Sequence, residues 1–273
     1  MAVVGYKKTS LKQLKKFNMT NNINKTVLIT GGSRGLGKES AIQLAKNGFD
    51  VIITYQTKER EAENVVKEIR DLGRKSISLK LDLAKSETFV DFVANLKVAL
   101  EKGFSKTKID ALVNNAGSAY YAPIAETTEA AFDEMLSIHL KAPFFLTQRI
   151  FPLLNHGASI VNTSSGLTRF SYPNYAAYAI MKAGVETLTR YQSLEFGKNQ
   201  IRVNTIAPGA IETDFAGGAV RDNKDLNNMI ATNTVLGRVG LPDDIGSVVT
   251  FLCSNESKWI NAQRIEVSGG IHI

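Results

Sequence analysis

Short apolar, β-branched runs alternate with longer helical patterns from Lys25 to the end of the chain. The apolar runs predict seven strands, at Thr26–Thr30, Val51–Thr54, Ser76–Leu81, Ile109–Val113, Ser159–Asn162, Ile201–Ile206 and Arg264–Val267. Helical patterns separate them at residues 36–47, 58–72, 86–102, 127–154, 176–197 and 242–253. Because this alternation is typical of stacked βαβ units, we predict an α/β fold, with a doubly wound, seven-stranded parallel sheet and helices on both faces.

The length and composition of the chain limit its domain organisation. A chain of 273 residues with 44% apolar content can bury one large core, and no stretch resembles a linker or a repeat. We therefore predict a single domain over residues 25–273. Within it, residues 208–240 are rich in Gly, Asn and Asp, and such an irregular stretch inside a compact domain favours a binding lid.

Most of the net charge lies in one short segment. Residues 1–25 contain six lysines and no acid, which accounts for six of the seven net positive charges of the chain. The rest of the chain is nearly neutral, so we expect no nucleic-acid partner. Residues 1–24 are predicted to be a basic, solvated extension, and the alternative is a helical arm that touches a membrane surface or a polyanion.

The sequence has no pattern of a membrane or secreted protein. No stretch approaches the roughly 18–20 apolar residues of a membrane span, and the lysine-rich amino terminus has no secretory apolar region. The single cysteine, Cys253, cannot form an intramolecular disulfide, and no Cys/His cluster indicates a metal. We expect a cytoplasmic protein in which Cys253 is a buried core residue.

A glycine-rich turn follows the first predicted strand and opens the first helix. It reads Thr30-Gly-Gly-Ser-Arg-Gly-Leu-Gly37. Glycines here allow a tight turn and a close approach to a pyrophosphate, while the helix amino terminus supplies N–H donors and a positive dipole. In this strand–turn–helix context the pattern predicts a dinucleotide site, and hence a Rossmann-type sheet.

The end of the second predicted strand bears on the choice of dinucleotide. An Asp or Glu there would bind the ribose hydroxyls of NAD, but the chain reads Tyr55-Gln56-Thr57-Lys58 before the first acid, Glu59. A 2′-phosphate would not be repelled, and Arg34, with Lys58 or Arg60, could pair with it. We therefore predict NADP(H) in preference to NAD(H). The alternative is that these bases are solvated surface charges.

Two further strand ends carry polar residues. Asp82, after the third strand, is a candidate acceptor for the adenine amino group or a cap for the following helix. Asn114-Asn-Ala-Gly117 follows the fourth strand, at the edge where ligands bind in such sheets. Its glycine and alanine allow close approach of a cofactor, and Asn114 could cross-link strands.

Ser165, Tyr178 and Lys182 are the candidate catalytic residues. Ser165 follows the fifth strand, and Tyr178 and Lys182 are four residues apart, on one face of a helix. A fixed positive charge near a phenol favours the phenolate, so Lys182 is expected to lower the pKa of Tyr178 from its usual value of about 10. This arrangement suits proton transfer to or from a substrate oxygen.

Together these motifs resemble the short-chain dehydrogenase/reductase family, and the match covers nearly all of residues 25–273. Its Thr-Gly-x-x-x-Gly-x-Gly pattern is matched from Thr30, its Asn-Asn-Ala-Gly from Asn114, and its Tyr-x-x-x-Lys at Tyr178, with Ser165 thirteen residues earlier. Pro208-Gly209 with Thr213 matches the segment that holds the nicotinamide. The pattern is most similar to that of 3-oxoacyl-carrier-protein reductases.

The resemblance implies a hydride transfer between NADP(H) and a ketone or secondary alcohol, with an acyl thioester among the candidate substrates. Tyr178 would be the general acid or base, Ser165 would bind the substrate oxygen, and Lys182 would bind the nicotinamide ribose and tune Tyr178. The implied cofactor contacts also include Thr30, Gly31, Ser33, Arg34, Gly35, Leu36, Gly37, Tyr55, Gln56, Asp82, Leu83, Asn115, Ala116, Gly117, Pro208, Gly209, Ile211 and Thr213.

His139 departs from the family pattern. The family usually has an asparagine at this position, where it helps to relay protons to the lysine. An imidazole can also form hydrogen bonds and titrate near neutral pH, so His139 is a candidate catalytic support residue, with a plain core histidine as the alternative. It also leaves open a second function, a cofactor-binding regulatory or scaffold protein with little turnover.

The substrate pocket and the assembly follow from the resemblance alone. Aromatic and apolar residues beyond the motifs suggest an apolar or aromatic substrate face, namely Tyr120, Tyr121, Leu167, Phe170, Tyr172, Phe215 and Met229. Arg169 could meet an anionic substrate or remain a solvated loop residue. A homotetramer is implied, with the helices predicted at 127–154 and 176–197 as its contact surfaces.

Overall fold

A computed structural model describes residues 24–273, which contain a seven-stranded, all-parallel sheet. The predicted extension lies outside these residues, except for Asn24. The strand order is β3-β2-β1-β4-β5-β6-β7. The strands are β1 (Thr26–Ile29), β2 (Asp50–Tyr55), β3 (Ser76–Lys80), β4 (Ile109–Asn114), β5 (Leu154–Thr163), β6 (Arg202–Pro208) and β7 (Arg264–Val267). The predicted fold class is thereby confirmed.

Helices cover both faces of the sheet. They are α1 (Gly35–Lys46), α2 (Glu59–Asp71), α3 (Phe89–Ala99), α4 (Glu129–Leu136), α5 (Ala142–Ile150), α6 (Ala176–Phe196), α7 (Ala219–Asp222), α8 (Lys224–Thr232) and α9 (Pro242–Cys253). Residues of α1, α2 and α9 bury one face, and residues of α3 and α5 bury the other. Among residues 24–273, no helix combines the length and apolar character that crossing a membrane requires.

The central strands are apolar on both sides because both faces of the sheet are covered. Val27–Ile29 of β1 and Val51–Ile53 of β2 are fully buried and pair in register, with Val27 opposite Val51. Such strands are continuous apolar runs, which is why the sequence located them well. Cys253, at the end of α9, is a buried core residue as expected.

The order of the strands places a crevice at one edge of the sheet. From β1 the chain moves outward to β2 and β3, then returns to add β4 on the opposite side of β1. Loops that leave β1 and β4 therefore diverge, and ligands of open α/β sheets bind in the crevice between them. Residues 30–37 and 114–117 lie at this point.

Two predicted boundaries were wrong in the middle of the chain. The helix predicted at 127–154 is two helices, α4 and α5, joined by a π turn at Ser137–Lys141, and α5 ends at Ile150. Pro152 then lies in a 3₁₀ turn, since a proline cannot continue the hydrogen bonds of an α-helix. Strand β5 begins at Leu154, five residues before the predicted start, in a segment whose His156 and Gly157 gave no strand signal.

Residues 208–240 are less irregular than predicted. They contain α7 and α8, and the Asn223 side chain caps α8 by accepting a hydrogen bond from the Leu226 N–H at 3.0 Å. Leu226, Met229 and Ile230 share the spacing of one helical face, a signal that the Asn-rich composition obscured. The three residues before α7, Ala216 to Gly218, all have left-handed backbone with φ of 52°, 70° and 81°.

Candidate active site

A cavity of about 840 Å³ opens at the carboxyl edge of the sheet. Every predicted site residue except Thr30 lines it, so the tertiary structure brings the separate motifs to one place. We call the part lined by residues 31–37 and by the end of β2 the cofactor end. The part lined by Tyr121, Phe170, Tyr172, Phe215 and Met229 is the substrate end.

The glycine turn of the cofactor end has no room for a side chain at Gly31 or Gly37. A Cβ on Gly37 would lie 2.1 Å from the Gly31 carbonyl oxygen, and Gly31 has a left-handed backbone with φ of 68°. No side chain caps the amino terminus of α1, and its first turn contains no acid. The N–H groups of this turn are therefore available to an anion, with the helix dipole in its favour.

Thr30 supports the turn from below and does not line the cavity. Its buried hydroxyl accepts hydrogen bonds from the N–H groups of Asn115 and Ala116, at 3.0 and 3.1 Å. The Asn115 side chain in turn donates to the carbonyl oxygens of Thr30 and Gly31. Thr30 thus links β1 to the segment after β4.

The end of β2 presents few free acids to the cavity. The Tyr55 hydroxyl donates to Glu59 at 2.8 Å, and the Gln56 amide donates to Asp82 at 3.1 Å. Asp82 also accepts from the Ala84 N–H, so it caps the local turn as well as facing the cavity. Arg34 and Lys58 line the same end, where they could meet an anionic group.

Asn114 links strands as the sequence suggested. Its side-chain amide lies on β4 and donates to Asn162 on β5 at 2.8 Å, and to Thr147 of α5 at 3.0 Å. Asn162 then donates to Thr189 and Gln192 of α6. This chain of buried polar groups joins β4 to β5 and to α6, and α6 carries Tyr178 and Lys182.

The candidate catalytic side chains meet where β5 and α6 face the cavity. Tyr178 and Lys182 are buried on one face of α6, and the Lys182 Nζ donates to the Thr163 carbonyl oxygen at 2.8 Å. That Nζ lies 5.6 Å from the centre of the Tyr178 ring. Ser165 follows β5, and its side chain lies near enough to Tyr178 to act on the pKa of the phenol. The three side chains can therefore act on one substrate oxygen.

The pKa of Tyr178 departs from the sequence prediction. Burial raises it to about 12, the hydrogen bond with Ser165 acts in the opposite direction, and Tyr175 adds to the increase. The predicted lowering by Lys182 was wrong as the net direction, because burial of the phenol raises its pKa. Burial also lowers the pKa of Lys182 to about 7. The raised pKa of Tyr178 means that it keeps its proton at neutral pH.

His139 is a buried, neutral side chain in contact with Tyr178. The two rings meet edge to face, with centroids 5.2 Å apart, and the His139 Nε2 hydrogen-bonds with the Ser118 backbone. Burial and the nearby Lys182 lower its pKa to about 3, so the prediction that it titrates near neutral pH was wrong. It lies in the π turn between α4 and α5, a distortion that is frequent at functional sites.

The His139 ring leaves no space for a side chain at Gly117. A Cβ on Gly117 would lie 2.6 Å from the His139 Cε1 atom. The Nδ1 of His139, the Ser118 hydroxyl and the Thr163 hydroxyl are buried without hydrogen-bond partners in the structure.

Aromatic side chains form the wall of the substrate end. Tyr121 and Tyr175 meet edge to face with ring centres 5.2 Å apart, and Phe215 lies 6.0 Å from the Tyr178 ring. Of the pocket residues predicted from the sequence, Tyr120 alone does not line the cavity. Arg169 points away from it and forms an ion pair with Glu266 at 2.6 Å. It is therefore not a free loop residue.

Comparison with known proteins gives the family of the chain. A family model described as enoyl-(acyl carrier protein) reductase matches residues 31–272. The chain belongs to the short-chain dehydrogenase/reductase family. It is an oxidoreductase of the kind that acts on carbonyl or alcohol groups, as the resemblance implied.

Three members of the family illustrate the similarity. The hydroxynaphthalene reductase-like protein Arp2 of Metarhizium majus is 36% identical over 257 residues, which cover 90% of this chain and 94% of the relative. The angucycline C-6 ketoreductase LanV, solved with bound NADP, superposes with a TM-score of 0.87 at 33% identity and covers 92% and 96% of the two chains. The promiscuous reductase LugOII, which catalyses keto-reduction at C1 during lugdunomycin biosynthesis, gives 0.87 at 32% identity, with 92% and 98% covered.

One polar residue of this dehydrogenase/reductase site was missed in the sequence. Glu186 lies on α6 and accepts hydrogen bonds from Ser164 and Thr168, on both sides of Ser165. Its spacing of four residues from Lys182 and eight from Tyr178 places it on the same helical face. That spacing was the available signal.

Proposed function

We propose that this chain is an NADPH-dependent ketoreductase that acts on polycyclic aromatic ketones. The observation that carries this proposal is the meeting of Ser165, Tyr178 and Lys182 at the junction of the cofactor end and the aromatic substrate end of one cavity. Their positions allow proton donation to a carbonyl oxygen that lies between a bound nicotinamide and the aromatic wall.

The cofactor end fits a dinucleotide. Its turn has no room for a Cβ at Gly31 or Gly37, and the uncapped amino terminus of α1 offers N–H donors to a pyrophosphate. Arg34 and Lys58 are the residues that would hold a 2′-phosphate, while Asp82 and Leu83 would border the adenine. Pro208, Gly209, Ile211 and Thr213 line the region where the nicotinamide would lie. The bound cofactor supplies the hydride for reduction of the carbonyl carbon.

The protein supplies the proton and binds the developing charge on oxygen. Tyr178 would donate the proton in the direction of reduction: burial raises its pKa to about 12, so the phenol holds its proton at neutral pH, and Ser165 acts in the opposite direction and favours release of the proton. Ser165 would be a second donor at the same oxygen, and two fixed donors stabilise the negative charge that develops there. Lys182 is anchored to the Thr163 carbonyl and would bind the nicotinamide ribose.

The substrate class follows from the wall of the substrate end and from the relatives. Flat aromatic faces bind flat aromatic ligands by stacking and edge contacts, and Tyr121, Phe170, Tyr172 and Phe215 offer such faces. The names of the relatives refer to hydroxynaphthalenes and to an angucycline, which are fused-ring aromatic compounds. An acyl thioester has no comparable face for this wall.

The test compares the rate of NADPH oxidation with fused-ring aromatic ketones, simple aliphatic ketones and 3-oxoacyl thioesters. We expect kcat/KM to be highest for the fused-ring ketones. A preference for thioesters would overturn the substrate class and favour the carrier-protein reductase branch. Tight NADPH binding without turnover on any carbonyl would instead favour the regulatory or scaffold function.

The preference for NADPH, the lid and the assembly form part of the proposal. Dissociation constants for NADPH and NADH, measured by fluorescence, test the preference, and tighter NADH binding would contradict it.

We propose one catalytic domain over residues 25–273, with residues 208–240 as a lid that closes over the substrate. The left-handed backbone at Ala216 to Gly218 supports a hinge there.

A homotetramer is supported by apolar side chains left exposed on α5 and α6. Phe144, Phe145, Ile180 and Leu194 are 47%, 40%, 56% and 78% exposed. Burial of such residues against a second copy would lower the free energy of association. A monomer in sedimentation at micromolar concentration would contradict this assembly. The cytoplasmic location stays a prediction from the sequence.

A further inference from the structure

A single carboxylate oxygen joins the two sides of the Ser165 loop to the catalytic helix. The Oε1 of Glu186 accepts hydrogen bonds at 2.7 Å from the Ser164 hydroxyl, the Thr168 hydroxyl and the Arg264 Nε. Ser164 precedes Ser165, Thr168 follows it by three residues, and Glu186 lies one helical turn beyond Lys182 on α6.

Proton counting decides which of these hydrogen bonds form together. Each hydroxyl holds one proton, so Thr168 donates either to Glu186 at 2.7 Å or to the Ser165 carbonyl at 2.9 Å. Ser164 has the same choice between Glu186 at 2.7 Å and the Lys182 carbonyl at 3.3 Å. The charged, nearer acceptor is the stronger one, so both hydroxyls donate to Glu186.

Arg264 completes the arrangement from β7. It donates its Nε to Glu186, and its Nη2 lies 3.3 Å from the Ser165 carbonyl and 3.2 Å from the Thr168 hydroxyl. The Thr168 hydroxyl thus accepts from Arg264 while donating to Glu186, and neither role competes with the other. The Glu186 and Arg264 side chains are only 16% and 25% exposed, so solvent weakens this pair less than a surface pair.

The hydrogen bonds leave the Ser165 hydroxyl free to donate. Its oxygen accepts from the Leu167 N–H at 3.2 Å, which fixes the side chain without using its proton. The direction in which the Ser165 O–H points then depends on the position of the Ser165 loop relative to α6. Glu186 fixes that position, because it accepts hydrogen bonds from Ser164 at one end of the loop and from Thr168 at the other.

We propose that Glu186 is a positioning residue that holds the Ser165 hydroxyl in line with the Tyr178 hydroxyl. The inference rests on the proposed function, in which both hydroxyls bind one substrate oxygen. Glu186 touches neither substrate nor cofactor and acts through Ser165. A misplacement of the loop removes one oxyanion donor while Tyr178 and the cofactor end stay intact.

A double-mutant cycle tests this role. We expect Glu186→Gln to lower kcat about tenfold, with the dissociation constant of NADPH unchanged, because a small misplacement of a donor costs rate and not cofactor binding. In a Ser165→Ala background the same change should lower kcat by less than about twofold, since the group that Glu186 positions is absent. An equal loss in both backgrounds would show that Glu186 does not act through Ser165.

Hydrogen–deuterium exchange provides a readout that does not depend on turnover. In Glu186→Gln, amides of residues 164–170 should exchange faster by about tenfold, whereas Glu101→Gln, an exposed glutamate near the end of α3, should leave them unchanged. Unchanged exchange in Glu186→Gln would overturn the proposal. If wild type reduces no ketone but the exchange still rises selectively, the proposed function is wrong and the loop contact stands.

A milder variant keeps the proposal testable if Glu186→Gln fails to fold. Thr168→Val removes one hydroxyl that donates to Glu186 and keeps the side-chain volume. It should show a smaller drop in kcat, again absent in the Ser165→Ala background. Equal effects in both backgrounds would contradict the proposal here too.

Discussion

The two ends of the cavity are built in opposite ways. At the cofactor end, backbone packs against backbone: a Cβ on Gly37 would lie 2.1 Å from the Gly31 carbonyl oxygen, and one on Gly31 would lie 2.9 Å from the Ala116 Cα atom. At the substrate end, side chains form the wall and remain partly open, with Phe215 and Met229 44% and 45% exposed.

This difference assigns different tasks to the two ends. Backbone atoms cannot be changed by substitution, so the shape of the cofactor end is fixed. It can therefore recognise one invariant ligand, which approaches the backbone closely and accepts hydrogen bonds from its N–H groups. A wall of aromatic side chains can be changed residue by residue without altering the sheet, so the substrate end can be adapted to different ketones. The catalytic residues stand on α6 and after β5, between the two.

The largest effect on activity is expected from a substitution at Tyr178, where the cofactor end meets the substrate end. Tyr178→Phe removes the proton donor and keeps the ring that packs against His139, so kcat should fall by about 10³-fold while NADPH affinity stays within about threefold. Steady-state kinetics and fluorescence titration measure the two quantities. Tyr191→Phe, on the exposed side of the same helix, is the control. A Tyr178→Phe enzyme with full activity would refute the assigned mechanism.

Where a glycine of the cofactor end contacts backbone directly, an added methyl group should be destabilising. Gly37→Ala forces a methyl group against the Gly31 carbonyl, an overlap that costs about 2 kcal/mol and should weaken NADPH binding or lower the melting temperature accordingly. Gly103→Ala is the matched control, because nothing lies within 4 Å of the added atom. Equal behaviour of the two variants would mean that the turn is more adaptable than its geometry indicates.

Between the two ends, His139 should make the protein sensitive to acid. Its pKa is about 3 when folded and rises to the ordinary value of 6.5 on unfolding, so the unfolded chain binds the extra proton between these pH values. The free energy of unfolding should therefore fall as pH drops below 6.5, by up to about 1.4 kcal/mol per pH unit. At higher pH this contribution is fully retained.

Denaturant unfolding between pH 7.5 and 4.5 measures this slope. His139→Asn should flatten it, whatever its effect on stability at pH 7.5, and His156→Asn on the surface is the comparison. A slope that is the same in wild type and His139→Asn would show that the buried ring is not the source of acid sensitivity.

The smallest expected effect concerns recognition at the open edge of the cofactor end. Gln56→Asp places a carboxylate at the end of β2, where a 2′-phosphate would be repelled and ribose hydroxyls would be bound. The ratio of NADH to NADPH dissociation constants should shift by about tenfold toward NADH, or about 1.4 kcal/mol. An unchanged ratio would place the 2′-phosphate elsewhere.

The strands and the dinucleotide motif could be predicted from sequence because their signals are local. Buried strands such as Val27–Ile29 are continuous apolar runs, and the turn at residues 30–37 has its glycines where the backbone needs them. The spacing of Tyr178 and Lys182 fixed their common helical face. Local patterns failed where a distortion intervened, at the π turn around His139, and where polar composition masked a helix, at α8.

What the tertiary structure alone decided is the electrostatics of the site. The sequence places Lys182 beside Tyr178 but does not state how deeply either is buried, and burial reverses the expected pKa shift of Tyr178. It also leaves unstated that Glu186, Arg264 and the Ser165 loop, far apart along the chain, converge on one carboxylate oxygen. Helical spacing is a property of the chain, whereas desolvation and long-range hydrogen bonds exist only once the chain has folded.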